Sequence, residues 1–210
     1  MNIYDDRPNQ QKDKPLPIMQ SDSPYIELNE ILANQIEIND SVIYLNDEIE
    51  EHTLFDLMIR IRQILKFRNT VEYKGSKDDP INLMINSPGG DVHEMMGILD
   101  YLNSLSVKVN TICRGRAFSC AAVILTCGTG IRMVSKNSTI MFHQASSMIS
   151  GKMTDVSATV EFVKQIETDV YNILSEKTNK DSLWWKDQMR TDMYLTSTQA
   201  LELGVIDQII

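Results

Sequence analysis

A serine, a histidine and an aspartate in this chain could be brought together for nucleophilic catalysis. Ser119 opens the small-residue run Ser119-Cys120-Ala121-Ala122, shortly after the apolar stretch Val107 to Cys113 and Gly115. An apolar run, a glycine break and a small-residue run read as strand, tight turn and buried helix, with the serine at the helix start. First-turn N–H groups of a helix have no partners within it, and the helix dipole favours negative charge beside them. A hydroxyl placed there is well set to attack a carbonyl, and the N–H of Cys120 could donate to the resulting oxyanion. The competing role for Ser119 is that of a simple helix cap.

Histidine is scarce, with His52, His93 and His143 only. The first two fall near the starts of predicted helices and should be exposed. His143 follows a buried strand, and a near-neutral pKa suits it to act as base for Ser119. A base of this kind needs an acceptor to fix its tautomer. Asp192 lies between a long helix and a capping box and is the preferred choice, although composition alone does not select it over Asp169 or Asp187. A second junction, Asn86-Ser87-Pro88-Gly89-Gly90, follows another buried strand. Its glycine pair either lets backbone N–H groups approach a ligand or serves a turn that needs positive φ. No nucleotide-binding glycine loop is present.

Positioning these groups falls to an alternation of strands and helices. Ser41 to Leu45, Ile81 to Ile85, Val107 to Cys113, Ser138 to Phe142 and Val205 to Ile209 read as strands. Glu51 to Phe67 and Asp91 to Leu105 show helical spacing. Apolar residues on one face are Leu54, Leu57, Met58, Ile61, Ile64 and Leu65 in the first and Val92, Met95, Met96, Leu99 and Leu102 in the second. Thr154 to Thr178 is a long helix with Val156, Val160, Val163, Val170 and Leu174 on one side. Thr196 to Gln199 is a capping box opening a short helix that Gly204 closes. Asn69 to Pro80 reads as a surface loop. The fold class is α/β with a largely parallel sheet, whose strand-to-helix junctions gather where ligands bind.

The 210 residues suffice for one medium domain, here 26–210, preceded by a polar arm, 1–25, that holds four of the six prolines and should be mobile. A net charge of −9 argues against nucleic-acid binding. The three cysteines, Cys113, Cys120 and Cys127, form no C-x-x-C pair. They fit buried, reduced thiols rather than a zinc site or a disulfide framework. With no leader-like opening and no apolar run long enough to cross a bilayer, a cytoplasmic protein without membrane contact is expected.

Ser119 with its flanks, the NSPGG run, His143-Gln144 after a strand and the tail TDMYLTSTQALELGVID together resemble the Clp protease proteolytic subunit. The resemblance runs from Ser41 to Asp207, about four-fifths of the chain. It implies a crotonase-like spiral of ββα units with a protruding handle helix, in a handle region spanning about residues 145–180. It implies a serine endopeptidase with Ser119, His143 and Asp192 as its triad, and with the N–H groups of Gly90 and Cys120 as oxyanion donors. Gly89, Ala145 and Ser146 would bind the substrate strand. No metal or organic cofactor is implied. The implied partners are further copies in heptameric rings stacked in pairs, an AAA+ unfoldase, and peptide or unfolded protein substrates.

The departures from the family pattern are specific. Cys120-Ala121 replaces Met-Gly after the serine, and Ala145 replaces a proline. Arg190-Thr191 replaces an acidic–basic pair that locks the two rings. Asn82, Met84 and Ser104 stand where the chaperone-docking cleft has aromatics, and Asn69 to Lys77 looks like an insertion. Two other readings are a catalytically idle ring subunit and a crotonase-type acyl-CoA enzyme. The first would be marked by a broken triad, the second by binding of a CoA thioester.

Overall fold

A computed structural model of the protein describes residues 34–145 and 151–210. The expected N-terminal arm and Ser146 lie outside the described residues.

Within them, the helices are α1 (Thr53–Phe67), α2 (Val92–Ser104), α3 (Cys120–Thr126), α4 (Met153–Lys177), α5 (Ser182–Gln188) and α6 (Ser197–Glu202). The strands are β1 (Ile36–Glu37), β2 (Val42–Leu45), β3 (Ile81–Ser87), β4 (Val109–Phe118), β5 (Arg132–Val134), β6 (Thr139–Phe142), β7 (Met193–Leu195) and β8 (Gln208–Ile209). They form one sheet in the order β1-β2-β3-β4-β5-β8, with β6 also paired to β4 and β7 paired to β6. The β1–β2 and β6–β7 pairs are antiparallel and the rest parallel, so the sheet is largely parallel as expected.

β4 is the strand on which the sheet forks. Its first half pairs with β5, in register Thr111↔Arg132 to Cys113↔Val134. Its second half pairs with β6, in register Arg116↔Thr139 to Phe118↔Met141. The expectation that the strand ends at Gly115 is corrected here, because β4 runs through Gly115 to Phe118. Gly115, at φ +102, lies where the register against β3 slips, and its N–H donates to Ser138 Oγ at 3.0 Å. The glycine thus bends a strand that continues, and the turn falls at Ser119 itself.

α3 is buried at every position, the pattern of a core helix that is apolar all round. α1 turns Leu57, Ile61 and Ile64 inward, and α2 turns Met95, Ile98, Leu99 and Leu102 inward. Each such aliphatic side chain contributes roughly 1.5–3 kcal/mol on burial. Asp91 caps α2, accepting from the N–H groups of His93 and Glu94 at 2.7 and 2.9 Å. Thr196 and Gln199 form the reciprocal capping box of α6. α4 is anchored by Val170, Tyr171 and Leu174 in its second half, whereas its first turns stand exposed, with Met153 at 79%. Of the apolar face expected along α4, Val170 and Leu174 are buried and Val156, Val160 and Val163 half-buried.

Three strands and one helix are not foreshadowed by the sequence. β1, β5 and β7 have two or three residues each, too few to show a period. α5 starts at Asp181, whose side chain accepts from the Trp184 N–H, and it buries Trp185 against Phe142. The expected strand Val205 to Ile209 shortens to β8. The loop at 69–80 is irregular and mostly exposed.

Candidate active site

The fork in β4 decides which residues meet. Because β6 lies parallel beside the end of β4, Ser119 emerges next to Phe142 and His143, and its N–H donates to Met141 O at 2.7 Å. Antiparallel β7 pairs Met193 with Phe142, so one step further its chain places Asp192 opposite His143. On the other flank β3 delivers Gly89, where an added Cβ would lie 2.7 Å from that of Ser119. Ser119, His143, Gly90, Cys120 and Ala145 all line one cavity of about 400 Å³. Apolar side chains, among them Met95, Val123, Phe142, Val163 and Val170, line it as well.

Ser119 sits at φ +54, ψ −125, and its side chain makes no capping hydrogen bond to α3. A simple cap would hold the hydroxyl against the helix N–H groups, and this one does not. A non-glycine residue in such a conformation costs on the order of 1–3 kcal/mol, and residues of this kind cluster at active sites. Nδ1 of His143 lies 3.9 Å from Oδ1 of Asp192, close enough for attraction but beyond a hydrogen bond. His143 is 28% exposed and Asp192 57%. The other two aspartates point elsewhere: Asp187 lies 3.8 Å from Arg190, and Asp169 accepts from Gln165 at 2.9 Å.

The glycine pair meets a backbone neighbour as well as the cavity. Gly89 has φ +94 and Gly90 φ +146. A Cβ on Gly90 would lie 2.0 Å from Ile49 O. Ile49 bridges this loop like a strand, its N–H donating to Gly89 O at 2.8 Å and its carbonyl accepting from the Asp91 N–H at 2.6 Å. With Gly89 O held from one side, the N–H at the other end of the same planar peptide, that of Gly90, points the opposite way. On the Ser119 side, the Cys120 thiol donates to Gly90 O at 3.1 Å. Burial pushes the Cys120 thiol above its ordinary pKa, and does the same to Cys113 and Cys127, raised to about 11 and about 12. All three cysteines are buried, and none is in a disulfide.

The comparison with protein families matches residues 37–210 to the Clp protease model. The chain belongs to the Clp protease family. Among curated proteins it is similar to the ATP-dependent Clp protease proteolytic subunit of Bacteroides thetaiotaomicron, 31% identical over 196 residues that cover 90% of this chain and 85% of the relative. The subunit of the same name from Bacteroides fragilis is 31% identical over 197 residues, covering 90% of each chain. The protein is accordingly a serine-type peptidase, a hydrolase, and its α/β architecture is of the Clp protease kind. Among the described residues, no group of His, Cys, Asp and Glu side chains could hold a metal ion, and no helix is long and apolar enough to cross a membrane.

Two residues at this candidate site are not marked by the sequence. His93, expected only to be exposed, is exposed but also lines the cavity and stacks on Phe162 of α4, with ring centroids 6.0 Å apart. Nothing in a lone histidine on a helix start signals such a contact across the chain. Ile49 left a fainter sign, as an isolated apolar residue among Asp47, Glu48, Glu50 and Glu51 that is nonetheless buried.

Proposed function

We propose that this chain is the proteolytic subunit of an ATP-dependent Clp-type machine, cutting peptide bonds with Ser119, His143 and Asp192. The observation that carries the reading is the Ser119 hydroxyl, not used to cap α3 and held in a strained turn in the cavity that His143 also lines. Ser119 Oγ attacks the carbonyl carbon of the substrate peptide. His143 takes the hydroxyl proton and later delivers it to the leaving amine, while Asp192 favours the imidazolium. The N–H groups of Gly90 and Cys120 receive the oxyanion, and Gly89 and Ala145 flank the substrate backbone. Removing one such donor typically costs 10²- to 10³-fold in turnover.

The relatives are named as the proteolytic subunit of an ATP-dependent protease, which supports a separate ATP-hydrolysing partner for this chain; an unfoldase that feeds it unfolded proteins is the partner proposed. The same family membership supports assembly of this chain into rings that stack in pairs, and a cytoplasmic setting. The exposed first half of α4 is available for contact between rings.

A second reading, a weak or idle ring subunit, draws on the loose geometry of the triad. His143 and Asp192 are 3.9 Å apart, and no hydrogen bond joins Ser119 to His143. Hydrogen bonds of a catalytic site are often long without substrate and tighten when it binds, which favours the active reading. Incubation with a serine-reactive peptidyl phosphonate separates the two. Labelling confined to Ser119, and loss of peptide cleavage in an assembled Ser119→Ala protein, are expected. An unlabelled, inactive wild-type assembly supports the idle subunit, and full activity of Ser119→Ala overturns the nucleophile.

A further inference from the structure

We infer that the Cys120 thiol is a positioning group for the oxyanion site, fixing the spacing between its two backbone donors. The inference rests on the reading of Gly90 and Cys120 as those donors. The two N–H groups come from different parts of the chain, Gly90 from the turn after β3 and Cys120 from the first residue of α3. A distance shared by two separate segments needs a tie between them. The side chain of Cys120 supplies one, because its S–H donates to the carbonyl of Gly90 at 3.1 Å. The residue that offers one donor through its backbone therefore grips the residue that offers the other.

The geometry around Gly90 makes this grip directional. The peptide before Gly90 is held through Gly89 O by the Ile49 N–H, and the peptide after it is held through the Asp91 N–H by Ile49 O. Both of these bonds lie on the Ile49 side. Cys120 Sγ holds Gly90 O from the α3 side, so the loop is clamped between β-like pairing and the helix start. Gly90 at φ +146 has no Cβ to limit rotation about its own backbone, and bonds on either side supply the restraint that a side chain would otherwise give. Burial, which raises the thiol's pKa, keeps the S–H protonated and so available as a donor through neutral pH.

Three variants test the assignment: Cys120→Ala, which removes the donor, Cys120→Ser, which keeps an O–H donor, and Cys120→Met, which removes it while filling the space. Each is assembled, checked for folding by circular dichroism, and assayed for kcat and KM on a fluorogenic peptide. Affinity is also measured for a peptide boronate, whose tetrahedral adduct mimics the oxyanion, and for the cleaved product peptide. Loss of a single positioning hydrogen bond should lower kcat and weaken the boronate about three- to tenfold in Cys120→Ala, with KM and product affinity within about twofold. Cys120→Ser should recover most of that loss and Cys120→Met should not. Equal kcat and boronate affinity in Cys120→Ala and the wild type would overturn the role of the thiol. Equal losses in the alanine and serine variants would also overturn it, by showing that the sulfur acts through packing alone. Phosphonate labelling of wild-type Ser119 is run alongside. If it succeeds while the Cys120 series is flat, only this inference fails, whereas if Ser119 is not labelled the proposed function itself fails.

Discussion

Replacing Asp192 by asparagine keeps the side chain's shape and removes one charge. In the structure that charge lies 3.9 Å from the nearer nitrogen of His143. Two unit charges at about 4 Å attract by roughly 1 kcal/mol in water and roughly 4 kcal/mol at an effective dielectric constant of 20. Asp192 is 57% exposed, which places the pair toward the watery end of that range. Stabilisation of the imidazolium formed during attack then amounts to about 1–2 kcal/mol, a fall in kcat of roughly five- to thirtyfold in Asp192→Asn. The assay is steady-state cleavage of a short peptide, with the rate of Ser119 phosphonate labelling followed in parallel. Labelling should slow but persist, since Ser119 and His143, the proposed nucleophile and base, remain. An orienting carboxylate that is directly hydrogen bonded is worth about 10⁴-fold. A loss of that size would refute the estimate by showing that Asp192 closes onto His143 during turnover. A silent Asp192→Asn beside a crippled Asp187→Asn would refute the choice of aspartate.

Gly90→Ala should lower peptidase activity by roughly 10²-fold or more while the circular dichroism spectrum is kept, because its Cβ would lie 2.0 Å from Ile49 O beside the oxyanion site; activity near that of the wild type would show that the loop can yield. Arg68 is buried and donates to Ser41 Oγ and to the carbonyls of Lys77, Asp79 and Pro80. Arg68→Met should destabilise the fold by about 2–4 kcal/mol, lowering the thermal midpoint by roughly 5–15 °C and opening the 69–80 loop to limited proteolysis. An unchanged midpoint would show that the loop is held by other contacts. Hydrogen bonds from Arg132 hold the carboxyl of Asp207 below its ordinary pKa of 3.8. A lowered folded pKa means that the stabilisation is fully present above the unfolded value and is lost as pH falls through the folded one. Asp207→Asn should therefore be less stable than the wild type at neutral pH, and in urea titrations that gap should narrow below about pH 4; a gap that widens in acid would contradict the assignment.

The sequence made the larger elements legible where burial imposes a period. In α1 and α2 the residues facing the core are largely those whose spacing marked them, and the capping box at Thr196 appears as the four letters TSTQ suggest. Ser119 and His143 were recognisable because each follows a buried strand, and the fold brings those strand ends side by side. Asp192 was harder, since its position opposite His143 depends on β7, a strand of three residues. A segment that short takes its shape from its neighbours and carries no pattern of its own. Gly115 reads as a terminus because a glycine that breaks a strand and one that merely bends it leave the same mark in sequence. The contact of His93 with Phe162 joins residues 69 positions apart and has no local signature.

The fork of β4 also sets an order of local opening. The longest strand pairings, β2 with β3 and β3 with β4, lie at the centre of the sheet. The β6–β7 branch is attached to the last three residues of β4 and carries His143 at its tip. Short segments paired at a sheet's margin open with a smaller free energy than its centre. Amide protons of β6 and β7 should thus exchange with deuterium earlier than those of β3 and the first half of β4. His143, the proposed base, thus sits at the tip of a branch tied to Ser119 through the Ser119 N–H bond to Met141 O, so opening of β6 would disturb both residues together.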